Sequence, residues 1–222
     1  LADGSITSQF GNVVDICVGD GTPDSIAFLV TGASTNDYLY LITDTSDILV
    51  GAFSDPFFDF DNAVGDTYRI YGLSYTGLPN LIPGNIITAV DLSNDCYELT
   101  NEFIQVNATG VDGSIIYTEE VGVGEDLIYI CVGDGMPNEL SFQNTTAAPD
   151  ADYIFAITNE DGIVLGFVPP GNVFDFEIAG VGTSNIVGVS YTGDLTFNVG
   201  NNIFTDALSD GCYDISANII TI

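Results

Sequence analysis

The 222-residue chain has no lysine, no histidine and no tryptophan, and Arg69 is its only basic side chain. Against that one cation stand 32 acidic residues, for a formal net charge of -31. Each absence excludes a class of chemistry. Without a cluster of Lys and Arg the chain cannot displace counterions from nucleic-acid phosphates, and anionic membrane surfaces repel it. Without His there is no Ser-His-Asp or Cys-His catalysis and no ordinary zinc site. Without Lys there is neither a Schiff base nor a Lys-Asn isopeptide cross-link. No apolar run reaches the roughly 18 residues of a membrane span. The chain starts at Leu1 with no signal peptide, which fits a removed leader or a fragment. Carboxylates, carbonyls and hydroxyls remain, a set suited to calcium and to cohesion through backbone contacts. A trypsin-like protease meets one site, Arg69, which fits an exposed, long-lived extracellular protein. A high-salt habitat also favours such an acidic surface.

Hydrophobic residues make up 46% of the chain, enough to bury real cores despite the charge. The chain also repeats itself. "ICVGDGTPDSIAF" at Ile16 returns as "ICVGDGMPNELSF" at Ile130, and "DYLYLIT" at Asp37 as "DYIFAIT" at Asp152. "FDFD" at Phe58 becomes "FDFE" at Phe174, "GLSYTG" at Gly72 becomes "GVSYTG" at Gly188, and "DCYELT" at Asp95 becomes "GCYDIS" at Gly211. The offset drifts only from 109 (Ala2 to Val111) to 116 (Asp95 to Gly211), with the main insertion before the second cysteine phrase. Anchors in the same order throughout mean a tandem duplication. Within each half, short apolar runs such as "VVDICV", "SIAFLV", "YLYLIT", "TYRIYGLSY" and "CYELTNEFIQV" alternate with turn chemistry such as "GDGTPD", "TGASTND" and "TDTSD". No stretch sustains a period near 3.6 with caps. The expected fold is all-β: two tandem immunoglobulin-like, Greek-key β-sandwich domains, 1–107 and 108–222. "NATG", from Asn107 to Gly110, is the expected join, too short for free hinging. No tail is expected to remain for an anchor, a sorting signal or a donor strand.

The four cysteines fall two per repeat. Duplication makes Cys17–Cys96 and Cys131–Cys212 the simplest disulfides, each stapling an early strand to a late one. Closing a loop of about 80 residues contributes on the order of 4 kcal/mol and requires an oxidising compartment outside the cytosol.

Acid spacing offers calcium sites, and each has a plainer reading beside it. Asp20 and Asp24 frame the first "GDGTPD" turn, and Asp134 and Asn138 frame the second. Such oxygens can wrap Ca²⁺, yet Asp, Gly and Pro at these places are also what a tight turn needs. Asp59 and Asp61, with Asp175 and Glu177 in the second copy, form a further cluster that also reads as a strand edge with apolar residues in and acids out. "TDTSD" and "TNEDG" read as hairpin loops with Gly162 in the left-handed region. Nothing singles out an acid and a base for glycoside hydrolysis, and no enzymatic activity is expected. Tyr38, Tyr40, Tyr71 and Tyr75 are candidates for stacking on glycans, but they sit in alternating runs that a core would claim. Asn107 and Asn144 begin two sequons, with Asn107 expected to be accessible in the join.

"ICVGDGTPD" at Ile16, "GLSYTG" and "GVSYTG", and "GCYDIS" at Gly211 resemble a tandem extracellular repeat of very large surface proteins of Bacteroidota, similar to adhesin-like and gliding-adhesin-like repeats. The resemblance spans both halves. It implies an immunoglobulin-like sandwich, export and cell-surface display, and no catalytic residue. A further cysteine common in such repeats is replaced here near Tyr68 and Ser184. The expected role is therefore structural: a subunit of a surface filament that self-associates head to tail, or the shaft of an adhesin held by neighbouring repeats. A glycan- or calcium-binding adhesion module is the alternative. No cofactor is expected beyond possible Ca²⁺, and no nucleic-acid partner or membrane insertion.

Overall fold

The computed structural model describes residues 4–32, 37–118, 126–145, 148 and 151–222. The "TGASTND" turn and the insertion ahead of the second cysteine phrase lie largely outside the described residues. The chain divides into two compact units, Leu1–Thr109 and Gly110–Ile222. Strands and short turns make up both. The exception among the described residues is one 3-10 turn, Phe176–Ile178. Among the described residues no helix is long and apolar enough to cross a membrane.

Unit 1 carries β1 (Ser5–Ser8), β2 (Val13–Val18), β3 (Ser25–Thr31), β4 (Asp37–Thr43), β5 (Leu49–Phe53), β6 (Phe57–Asp59), β7 (Asp66–Tyr75), β8 (Tyr97–Leu99) and β9 (Ile104–Gly110). A three-stranded sheet runs β1-β3-β6. A six-stranded sheet runs β2-β9-β7-β4-β5, with β8 also on β7. Unit 2 carries β10 (Ile116–Thr118), β11 (Glu139–Asn144), β12 (Asp152–Thr158), β13 (Val164–Phe167), β14 (Val173–Asp175), β15 (Asn185–Tyr191), β16 (Tyr213–Ile215) and β17 (Ile220–Thr221). Its sheets run β10-β11-β14 and β13-β12-β15-β16, with β17 also on β15. Each unit thus sets a three-stranded sheet against a larger one, the two-layered arrangement of an all-β sandwich.

The alternation in the sequence explains the layers. In unit 1, Ile6, Ile26 and Phe28 of the small sheet meet Tyr40, Ile42, Tyr68 and Ile70 of the large one. The opposite residues of the same strands, Leu41, Tyr71 and Leu73, form a second cluster with Ile87 and Leu92. The long connection between β7 and β8 therefore covers the outer face of the large sheet. Burying both faces is why β4 and β7 read as nearly continuous apolar runs rather than strict alternation. Unit 2 repeats this: Phe142, Phe155, Phe176 and Ile186 fill the interior, while Phe197, Ile203 and Leu208 cover the outer face.

Two expectations change. "CYELTNEFIQV" is two strands rather than one. β8 pairs with Leu73–Tyr75 and β9 with Asp66–Ile70, end to end along the same edge of β7. Thr100 bridges the break. Its N–H donates to Gly72 O at 2.9 Å, and its hydroxyl accepts from Gly72 N at 3.0 Å. "NATG" is not a separate join between strands. It continues β9, because Val106 and Ala108 keep the buried face of the strand. Asn107 is paired opposite Thr67, and its amide donates to Asp15 at 2.7 Å. A glycan there would displace that bond.

Candidate functional site

The "GDGTPD" turn and the "FDFD" segment, far apart in sequence, meet because β3 pairs with β6 in the register Ser25↔Asp59. Some of the acids there serve geometry. Asp20 accepts the N–H of Thr22 at 2.7 Å, the bond of an Asx turn. Asp59 accepts the N–H groups of Asp24 at 2.8 Å and Asp61 at 3.1 Å. Asp61 accepts the N–H of Gly19 at 3.1 Å. One oxygen from each of Asp20, Asp24 and Asp61 nonetheless lies within 4.8 Å of the other two. Oδ2 of Asp24 is buried and has no hydrogen-bond partner. Burial, then the nearby charges of Asp20, Asp61 and Asp59, push the Asp24 carboxyl up to about 6.

The second repeat builds the same corner differently. Asn138 replaces Asp24, and its N–H donates to Asp175 at 2.8 Å, as Asp24 does to Asp59. Its side-chain NH₂ donates to Cys131 O at 2.7 Å and to Glu177 Oε2 at 3.1 Å. Glu177, in the place of Asp61, also accepts from the N–H groups of Gly133 and Gly135 at 2.9 and 2.7 Å. Asp134 accepts the N–H of Met136 at 2.8 Å, the same turn bond that Asp20 makes. An amide donor thus stands in unit 2 where unit 1 has the unpartnered oxygen of Asp24. Asp20, Asp24 and Asp61 come together with one oxygen each within 4.8 Å of the other two. Asn138, Asp175 and Glu177 come together in a hydrogen-bond network, while Asp134 bonds within its own turn.

The expected cysteine pairing is not what the molecule adopts. Cys17 and Cys212 are each oxidised, whereas Cys96 and Cys131 are free and exposed. Neither Cys17–Cys96 nor Cys131–Cys212 is formed, and the reason is distance along the sheet. Asp15 sits beside Asn107, which faces Thr67, and Gly19 N–H donates to Asp61 O. Cys17 therefore lies at the start of β7. Cys96 O accepts from Thr76 N, just past its end. Some nine residues of extended chain separate those levels, about 30 Å, while a disulfide needs Cα atoms within about 7 Å. In unit 2, Leu127 bridges Thr221, which faces Asn185, so Cys131 lies beyond the start of β15. Cys212 bonds Thr192 at the other end, roughly 20 Å away. Sequence symmetry identified equivalent cysteines but not which ends of the strands they occupy.

Other candidates resolve more simply. Tyr40 and Tyr71 are buried, and Tyr38 and Tyr75 pack against the two clusters of unit 1. The core claims them, so they form no glycan platform. The Asn144 sequon extends outside the described residues. "TDTSD" and "TNEDG" join β4 to β5 and β12 to β13. Gly162 adopts φ 79, and Asp47 adopts φ 61 at the equivalent place. Asp47 is held there by Arg69 at 2.9 Å and by the Tyr71 hydroxyl at 2.8 Å. Compared with protein-family models and with curated proteins, the sequence matches none.

Proposed function

We propose that this chain is a non-enzymatic structural protein of an extracellular surface, either a filament subunit or a shaft segment of an adhesin. The observation that carries this reading is a duplicated, doubly layered β-sandwich that contains oxidised cysteines. Disulfides persist where thiols are oxidised, outside the cytosol. The resemblance to surface repeats of Bacteroidota and the near absence of tryptic sites agree with it. The partner is further copies of the same module. A charge of -31 opposes that association, so salt or divalent cations, which screen or bridge carboxylates, favour it. Electron microscopy of the native protein at about 0.15 M salt tests the reading. Linear assemblies are expected of a filament subunit; a dispersed monomer under these conditions overturns that reading.

The corner at Asp24 favours a second element, calcium binding within unit 1. Ca²⁺ takes 6–8 oxygens at about 2.3–2.6 Å. Asp20, Asp24 and Asp61 supply three carboxylates, one with an unpartnered buried oxygen. Titration calorimetry of the wild type and of Asp24→Asn decides this. A single Ca²⁺ site lost in the variant is expected. No heat with the wild type sinks the idea.

A further inference from the structure

Each repeat places one cysteine ahead of the "VGDG" turn and one ahead of the late "CY" strand. The oxidised cysteines are one of each kind, Cys17 and Cys212. The free ones are again one of each kind, Cys131 and Cys96, and both are exposed. Both backbone settings therefore accept a disulfide, each shown oxidised in one repeat and free in the other. Neither free thiol can reach its repeat-mate, because the two positions lie at opposite ends of a central strand. A bond at Cys96 or Cys131 must reach outside its own unit.

Three positions near the free thiols differ from the matching positions near their oxidised counterparts. Two residues before Cys131 stands Tyr129, 87% exposed, where the first repeat has Asp15. Met136, 69% exposed, replaces Thr22, and its carbonyl shares the Asn138 amide with Cys131. Beside Cys96, Leu78 is 71% exposed where the second repeat has Asp194. Leu78 is tied to Asn94 by bonds of 2.8 and 3.1 Å, two residues from the thiol. At these three positions an apolar or aromatic side chain stands where the other repeat has a polar one.

We propose that Cys131 of one copy and Cys96 of the next form an intermolecular disulfide that links copies of this chain head to tail. The inference rests on the structural-protein reading above and gives it a covalent joint. The contact joins two different surfaces, so it does not close on itself and extends indefinitely. The chemistry is thiol–disulfide exchange with a small-molecule disulfide such as oxidised glutathione. One protein thiolate attacks the oxidant to give a mixed disulfide and a glutathione thiol. The second protein thiolate then displaces the other glutathione, leaving one new S–S bond and two glutathione thiols.

The test uses the full chain with oxidised glutathione at about 0.15 M salt, read by non-reducing electrophoresis. Wild type should give a ladder that collapses with dithiothreitol. Cys96→Ser and Cys131→Ser, both at exposed positions, should each stay monomeric, with unchanged thermal unfolding. Their equimolar mixture should give a dimer and nothing longer, with peptide mapping showing Cys131 joined to Cys96. Absence of a wild-type ladder, dimers from either variant alone, or a mixture that stays monomeric overturns the proposal. Electron microscopy of the same samples separates the two ideas. Filaments without a ladder remove the covalent joint and leave the filament; neither ladder nor filament removes both.

Discussion

Asp24 concentrates the chemistry of the first repeat in one side chain. Its carboxyl, ordinarily at 3.8, is pushed up to about 6 by burial and by its acidic neighbours. An acid whose folded-state value lies above its unfolded value is protonated first in the folded state. Its contribution to stability is therefore lost as pH rises from about 4 to 6, and regained on acidification through the same window. Asp24→Asn, which installs the residue that the second repeat already uses, should stabilise unit 1 at pH 7. Half-exposure screens the effect, so the expected gain is about 1 kcal/mol, or roughly 4–8 °C in Tm. The gain should shrink to nothing near pH 4. Calorimetric melting of both proteins from pH 4 to 7 checks this, and a difference independent of pH refutes it. The sequence shows both the turn and the Asp-to-Asn exchange between repeats. It does not show that Asp61 faces Asp24, because that depends on the register of β3 on β6.

At the scale of elements, the edge of β7 is the least legible part of the fold. The run from Cys96 to Val106 has one continuous β-like pattern, yet Thr100 divides it. Its backbone and hydroxyl together occupy both hydrogen-bonding groups of Gly72. Ser216 does the same for Gly188, with bonds of 3.0 and 2.9 Å. Both glycines are required for a second reason: a Cβ at Gly72 or Gly188 would collide with the hydroxyl of Tyr38 or Tyr153. Thr100→Val keeps the shape but leaves the buried Gly72 N–H without its acceptor, at a cost of about 1–3 kcal/mol. Thr100→Ser should restore most of it. Urea midpoints for the pair measure the difference; equal midpoints for Val and Ser would mean the hydroxyl contributes nothing. The exchange of Thr for Ser between repeats was visible in sequence, but a hydroxyl at a strand break carries no signature apart from its partner.

At the scale of the molecule, the scarcity of bases makes a simple probe of compactness. Arg69 lies within β7, flanked by β4 and β9, and pairs with Asp47. Trypsin should leave the native chain intact and, in urea, cut it once, giving two fragments on a reducing gel. Native cleavage at a comparable rate would mean that unit 1 opens readily around its central strand. Composition excluded whole classes of chemistry by itself, since no fold can supply an imidazole or an ammonium group that the chain lacks. Alternating apolar residues, turn residues and internal repetition determined the all-β sandwich, because each is a local property read along a single strand. Only the tertiary structure decided where the cysteines and acids stand with respect to one another. Cys17 and Cys96 belong to one sandwich but to opposite ends of its longest strand, and Asp24 meets Asp61 across a sheet pairing. Distance in the folded molecule is set by strand order and register, and neither can be read from the spacing of residues along the chain.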